Sequence, residues 1–166
     1  MEQTIHTETR TPPLGKVSFE EFLEWLDEDT HAEWVDGEVV LKMPVSVEHQ
    51  DVNNYLHFLI SAWMARHQIG RAYQPPLLVK FTLPSGKRIA REPDIVVVLK
   101  DNPGVFTEQY FEGIPDLIVE VVSPRRRNVD RLTKFGEYEE AGVPEYWVID
   151  PERRYAEFFQ RDDSGA

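Results

Sequence analysis

The sequence predicts an α/β protein: a sandwich with a central mixed sheet flanked by helices, preceded by an N-terminal helix and hairpin. Three observations point there. The segments REPDIVVVL (Arg91 to Leu99) and IPDLIVEVVS (Ile114 to Ser123) are apolar at successive positions, the mark of strands covered on both faces. A long stretch from Ser46 repeats its apolar residues at helical spacing. The two periods also alternate along the chain in the manner of a layered α/β domain.

The elements follow in order. Residues 1–16 are expected to be a flexible lead-in, and 17–166 a single domain, which suits a chain of 166 residues. Ser18-Phe19-Glu20-Glu21 matches a capping box, so a short helix is predicted over FEEFLEWLDED. Asp36-Gly37, between the β-prone runs of AEWVDGEVVLKMP, predicts a hairpin. In the long helix Val52, Leu56, Leu59, Ile60, Trp63 and Met64 form the expected core face, with Arg66 and His67 in the last turn and Gly70 as C-cap. Strands are then expected at Leu77 to Leu83 and Arg91 to Leu99, joined through Pro84-Ser85-Gly86. A loop, DNPGVFTEQYFEG, leads to the strand that contains Glu120. A helix from Asp130 to Ala141 stops at Gly142, with Leu132 and Phe135 on its apolar side. EYWVID is a further strand, and Arg154 to Gln160 an edge strand. No repeat and no low-complexity segment interrupts this order.

Composition narrows the chemistry. There is no cysteine, which excludes disulfides, Cys-based zinc sites and thiol nucleophiles. No apolar run approaches the roughly 18 residues that span a bilayer, and the N-terminus lacks the apolar core of a secretory signal, so a cytoplasmic location is expected. The formal net charge of −12 opposes a polyanionic partner unless positive charge is concentrated locally. It is concentrated directly after the Glu120 strand, where Arg125, Arg126, Arg127, Arg131 and Lys134 fall together.

Two acidic residues sit where strands should be apolar. Alternation places Asp94, Val96 and Val98 on one face of their strand, and Ile118, Glu120 and Val122 on one face of theirs. An isolated buried carboxylate costs far too much to stay ionised and pairs readily with an arginine. Two on neighbouring strands raise each other's pKa, a conflict that a divalent cation removes. Mg²⁺ is satisfied by one or two carboxylates, with water and substrate phosphate in its other positions. A hairpin-like return of the chain through the DNPGVF loop would bring Asp94 and Glu120 together. A phosphate site also needs a nearby cation; the same-face position after Glu120 is Val122, and the next lysine is Lys134, one helical turn before Tyr138. Tyr138 reads as a core-edge aromatic whose hydroxyl can orient Lys134. His6, His31, His57 and His67 form no ligand spacing.

These residues in this order, Asp94 in REPDIVVV, Glu120 in PDLIVEVVSP and the following DRLTKFGEYEEAGVPEYWVIDP, resemble the Uma-type family, whose members are catalogued as bacterial restriction endonucleases of the wider PD-(D/E)xK superfamily. The resemblance begins with AEWVDGEVV and VEHQ and runs from about Ser18 to Pro151. It implies a restriction-endonuclease-like fold, and a site with Asp94 and Glu120 as metal ligands and Lys134 as a lysine moved from strand to helix. Glu33 and His49 fall on further family positions and join the implied catalytic set. Val122 stands where the wider superfamily has its strand lysine.

The expected function is therefore a Mg²⁺-dependent endonuclease, with Mn²⁺ as a substitute, that cuts DNA with a metal-activated water. The arginines at 125, 126, 127 and 131 would contact backbone phosphates. Two other readings stand beside it: a non-catalytic binding module that keeps the fold, favoured by the acidic charge and Val122, and a metal phosphoesterase for smaller substrates. An acidic surface also fits burial of one face in a homodimer.

Overall fold

A computed structural model describes residues 10–122 and 129–162, with backbone alone at 129–131. The first helix, α1 (Phe19–Trp25), starts as the capping box predicts: Glu21 N donates to Ser18 Oγ at 3.1 Å and Ser18 N donates to Glu21 Oε2 at 2.7 Å. It stops at Trp25 rather than continuing to Asp29. Leu26 is already extended, and the acidic residues that follow would face the negative end of the helix dipole. The strands β1 (Ala32–Val35) and β2 (Glu38–Leu41) pair across Asp36 and Gly37, both left-handed (φ 48° and 96°), as a two-residue turn of this hand requires.

Helix α2 (Val47–His67) is capped by Ser46 and ends at Gln68, left-handed at φ 54°, two residues before the expected Gly70. Gly70 instead opens β3 (Gly70–Tyr73), a strand that the sequence pattern did not announce. A Cβ on Gly70 would lie 2.5 Å from the Val98 carbonyl oxygen, so the close approach of two backbones explains this glycine.

Next come β4 (Leu78–Thr82), β5 (Arg88–Arg91) and β6 (Ile95–Leu99). The expected single strand from Arg91 to Leu99 is divided at Glu92-Pro93-Asp94. Proline has no N–H for a ladder, and here the chain leaves one sheet and enters another. Two short strands, β7 (Val105–Phe106) and β8 (Tyr110–Glu112), lie inside the expected loop. The remaining elements are β9 (Leu117–Val121), a π-helical turn (Val129–Lys134), α3 (Phe135–Ala141), β10 (Glu145–Asp150) and β11 (Tyr155–Gln160).

The strands form two mixed sheets rather than one. The six-stranded sheet has the order β2-β1-β5-β4-β8-β7, and the five-stranded sheet β11-β10-β9-β6-β3. Val79, Phe81 and Ile89 of the first face Val96, Val98, Ile118 and Val122 of the second, and Tyr138 and Val143 close this core. On its other face the five-stranded sheet packs Ile95, Val97, Leu117 and Val119 under Leu56, Ile60 and Met64 of α2. Helix α1 covers the outside of the six-stranded sheet through Phe19 and Phe22, beside Trp34.

The alternation expected for β6 and β9 holds throughout. The core stripe of α2 is narrower than expected: Leu59 and Trp63 are exposed. Each stands one residue before Ile60 or Met64, about 100° round the helix and beyond reach of the sheet.

Candidate active site

Asp94 lies at the crossing between the sheets, one residue before β6. The antiparallel register pairs Ile95 with Val119 and Val96 with Ile118, and one further step sets Asp94 opposite Glu120. Val121 N donates to Asp94 Oδ2 at 2.8 Å. Both carboxylates therefore share the face between the sheets. Val122 packs in the core, and the lysine arrives from the π turn. Lys134 Nζ donates to Glu120 Oε1 at 2.8 Å, and Tyr138, one turn on, donates to the same oxygen at 3.0 Å. The wider π turn shifts side-chain register relative to an α-helix. Lys134 is turned inward, while Leu132, expected on the apolar side, is exposed.

Glu33 reaches this point from β1 in the other sheet. Its Oε1 lies 3.0 Å from Lys134 Nζ, and its Oε2 accepts from Arg91 Nη1 at 2.7 Å. Arg91 grips Glu137 of α3 through Nε at 2.9 Å and Nη2 at 2.7 Å, and Glu137 also accepts from Lys87 at 2.7 Å. A chain of alternating charges thus runs between the sheets from Lys87 to Glu120. Every member after Lys87 is buried.

The electrostatics separate the carboxylates. Burial drives Glu120 up against the pull of Lys134, the negative charge of Asp94 adds to the rise, and its pKa reaches about 7. Burial also acts on Glu33, but Lys134 and Arg91 outweigh it and bring the pKa down to about 2. Asp94 is held below its ordinary value although burial opposes this, because His49, Lys42 and the Val121 N–H favour its charged form. Burial and the carboxylate beside it push the Tyr138 hydroxyl well above its usual value, so it remains a donor. Burial works against the Arg91 charge, yet Glu33 and Glu137 raise its pKa.

The far side of Asp94 opens to a groove of about 1060 Å³ between the β1–β2 hairpin and α2, lined by Lys42, His49 and Asn53 among others. His49, in the first turn of α2, places Nε2 3.5 Å from Asp94 Oδ2. Lys42 Nζ lies 3.8 Å from Asp94 Oδ1 and donates to the Glu92 carbonyl at 2.7 Å. His31 Nδ1 is 2.7 Å from Glu92 Oε1. His49 Nδ1, Asn53 Oδ1 and Glu92 Oε2 are buried without a hydrogen-bond partner among the described residues.

Asp94, Glu120, Lys134, Glu33 and His49 are thus brought into one connected cluster. Arg125, Arg126 and Arg127 lie outside the described residues, and Arg131 is described by its backbone alone. The sequence reading missed Lys42, Arg91, Glu92, Glu137 and the contact of His31. Arg91 and Glu92 had a signal, since REPD sets two further charges directly before Asp94. Glu137 had a weaker one, three residues after Lys134 on the same helix. Lys42 had none, because only the tertiary fold brings the end of the hairpin to Glu92 and Asp94.

Among the described residues no three His, Asp or Glu side chains form a ready-made metal cage. The donor set is two hard carboxylates, Glu120 within β9 and Asp94 one residue before β6. That number suits Mg²⁺ with water, and a divalent cation would offset both the burial that chiefly lifts Glu120 and the added repulsion of Asp94. The residues fit the ion.

A family model described as "Uma2: Putative restriction endonuclease" matches residues 19–166. Among solved structures the chain is similar to that of a putative nuclease belonging to DUF820 from Anabaena variabilis ATCC 29413, at 20% sequence identity and a TM-score of 0.67. The match covers 89% of this chain and 86% of that one, and it establishes a shared fold. No curated protein matches the chain.

Proposed function

The chain belongs to the Uma2 restriction endonuclease family, and from that premise we propose that it is a metal-dependent endonuclease that hydrolyses phosphodiester bonds of DNA. One observation carries the reading: Asp94 and Glu120 face each other across β6 and β9, with Lys134 2.8 Å from Glu120.

Asp94 and Glu120 would hold Mg²⁺, or Mn²⁺ in its place. When bound, the ion would neutralise phosphate charge and lower the pKa of water. Lys134 and Tyr138 fix one oxygen of Glu120, so its carboxylate is oriented before substrate arrives. Glu33, itself clamped by Arg91, holds Lys134 in turn. The lysine that the superfamily carries at the Val122 position is thereby supplied from the helix. Lys42, on the wall of the groove, is the cation that an entering phosphate meets beside Asp94. The arginines at 125, 126, 127 and 131 follow Glu120 closely in sequence, and we assign them to backbone phosphates, which supports binding without base readout.

The test is cleavage of supercoiled and single-stranded DNA with Mg²⁺ or Mn²⁺. Wild type is expected to cut, and Asp94→Asn to fall below detection while keeping its circular dichroism spectrum. Undiminished cutting by Asp94→Asn would sink the assignment. The non-catalytic alternative keeps one observation in its favour, the buried Val122. Titrating Mn²⁺ separates the two readings: a nuclease site loses affinity in Glu120→Gln, whereas a binding module shows no affinity that depends on Glu120.

A further inference from the structure

Helix α2 has two apolar stripes, and the five-stranded sheet uses only one. Leu56, Ile60 and Met64 pack on it, while Tyr55, Phe58, Leu59 and Trp63 are exposed by 63%, 67%, 44% and 59%. At 3.6 residues per turn these four share one side of the helix with Ala62. Three aromatics of roughly 150–250 Å² each, about three-fifths exposed, leave on the order of 400 Å² of apolar surface with Leu59. A patch of that size is about the largest that a typical monomer exposes, and such patches are often functional.

The ends of the stripe identify the occupant. At the N-terminal end the same side carries the exposed acids Glu48 and Asp51, and at the C-terminal end the exposed Arg66. The stripe is therefore acidic, aromatic, then basic, and it is complementary to itself when reversed. With a two-fold axis between Phe58 and Leu59, Asp51 meets Arg66 of the second copy, Tyr55 meets Ala62, and Phe58 meets Leu59. The small Ala62 leaves room for the ring of Tyr55. The two-fold repeats each contact, so both ends carry an opposite-charge pair.

We propose that this face of α2 is an isologous interface on which a second copy of the chain docks, its α2 antiparallel to the first. The inference is independent of the nuclease reading, because none of these side chains belongs to the active-site cluster. About 400 Å² per partner is roughly half of a standard interface, so the dimer should dissociate in the micromolar range.

Sedimentation velocity from low to high micromolar concentration tests this. Wild type should pass from monomer to dimer, and Phe58→Glu, at an exposed position, should remain monomeric with unchanged circular dichroism. The register has its own test in charge reversal. Asp51→Arg sets two arginines against each other at both ends, and Arg66→Asp sets two acids; each should weaken the dimer roughly tenfold. The double variant Asp51→Arg/Arg66→Asp restores both pairs and should bind within about threefold of wild type. A wild type that stays monomeric at every concentration would overturn the interface, as would a dimer that survives Phe58→Glu. A double variant no better than the singles would overturn the antiparallel arrangement.

Discussion

Arg91 is the residue on which the buried charges depend. It holds Glu33 with one arm and Glu137 with the other, and Glu33 in turn holds Lys134. Arg91→Leu would leave two buried carboxylates with one lysine each, Lys134 for Glu33 and Lys87 for Glu137, so a loss of about 3 kcal/mol is expected in urea denaturation. A loss below 1 kcal/mol would mean that Glu33 and Glu137 find other partners. The two lysines beside the carboxylates should part company in the same experiments. Lys134 is buried between Glu33 and Glu120, so Lys134→Met is expected to lower both stability and cleavage. Lys42 stands at the groove with one hydrogen bond, to the Glu92 carbonyl, so Lys42→Met should cut cleavage by roughly 10²-fold and cost less stability than Lys134→Met. Equal stability losses for both variants would remove the distinction drawn between a positioning lysine and one that meets phosphate.

At the scale of elements, legibility followed how local the cause was. The capping box at Ser18, the turn at Asp36-Gly37 and the alternation in β6 and β9 are set by neighbouring residues, and each stands where the pattern predicts. The approach of Asp94 to Glu120 was legible for the same reason, since two strands of known face and a returning loop suffice. What escaped had distant causes. β3 exists because Gly70 lets it lie against β6, and nothing within the segment announces that partner. The π turn that brings Lys134 inward and Leu132 outward breaks the α-helical period from which the apolar side was read. The division at Pro93 was visible in principle but masked by an unbroken apolar run after it. Gly70 yields a test at this scale: its Cβ position meets backbone, which cannot swing aside. Gly70→Ala should therefore cost about 1–3 kcal/mol and raise hydrogen exchange along β3. Unchanged exchange would show that β3 can move away from β6 without cost.

For the whole molecule, the two displaced carboxylates give stability a definite dependence on pH. The Glu33 pKa falls from 4.5 to about 2 on folding, so its contribution is complete above about pH 4.5 and is lost as pH falls toward 2. Glu120 moves the other way, from 4.5 to about 7. Between those values the folded chain keeps a proton that the unfolded chain has released, so stability declines as pH rises from about 4.5 to 7 and is level above. Each shift corresponds to about 3 kcal/mol. Without metal, these two groups together favour mildly acidic conditions, and Glu120→Gln should remove the decline between pH 4.5 and 7 while leaving the acid limb in place. On the proposed function Mg²⁺ would enter the same balance, because it would bind the ionised pair in the folded chain and would have no such site in the unfolded one. Urea denaturation across this range, with EDTA and then with excess Mg²⁺, should therefore show a decline that the ion shallows or reverses in wild type. Glu120→Gln should respond little to it. A wild-type decline that Mg²⁺ leaves untouched would mean that the cation does not reach Glu120. The raised carboxyl would then be a proton carrier held by Lys134 and Tyr138, and the nuclease reading would lose its second ligand.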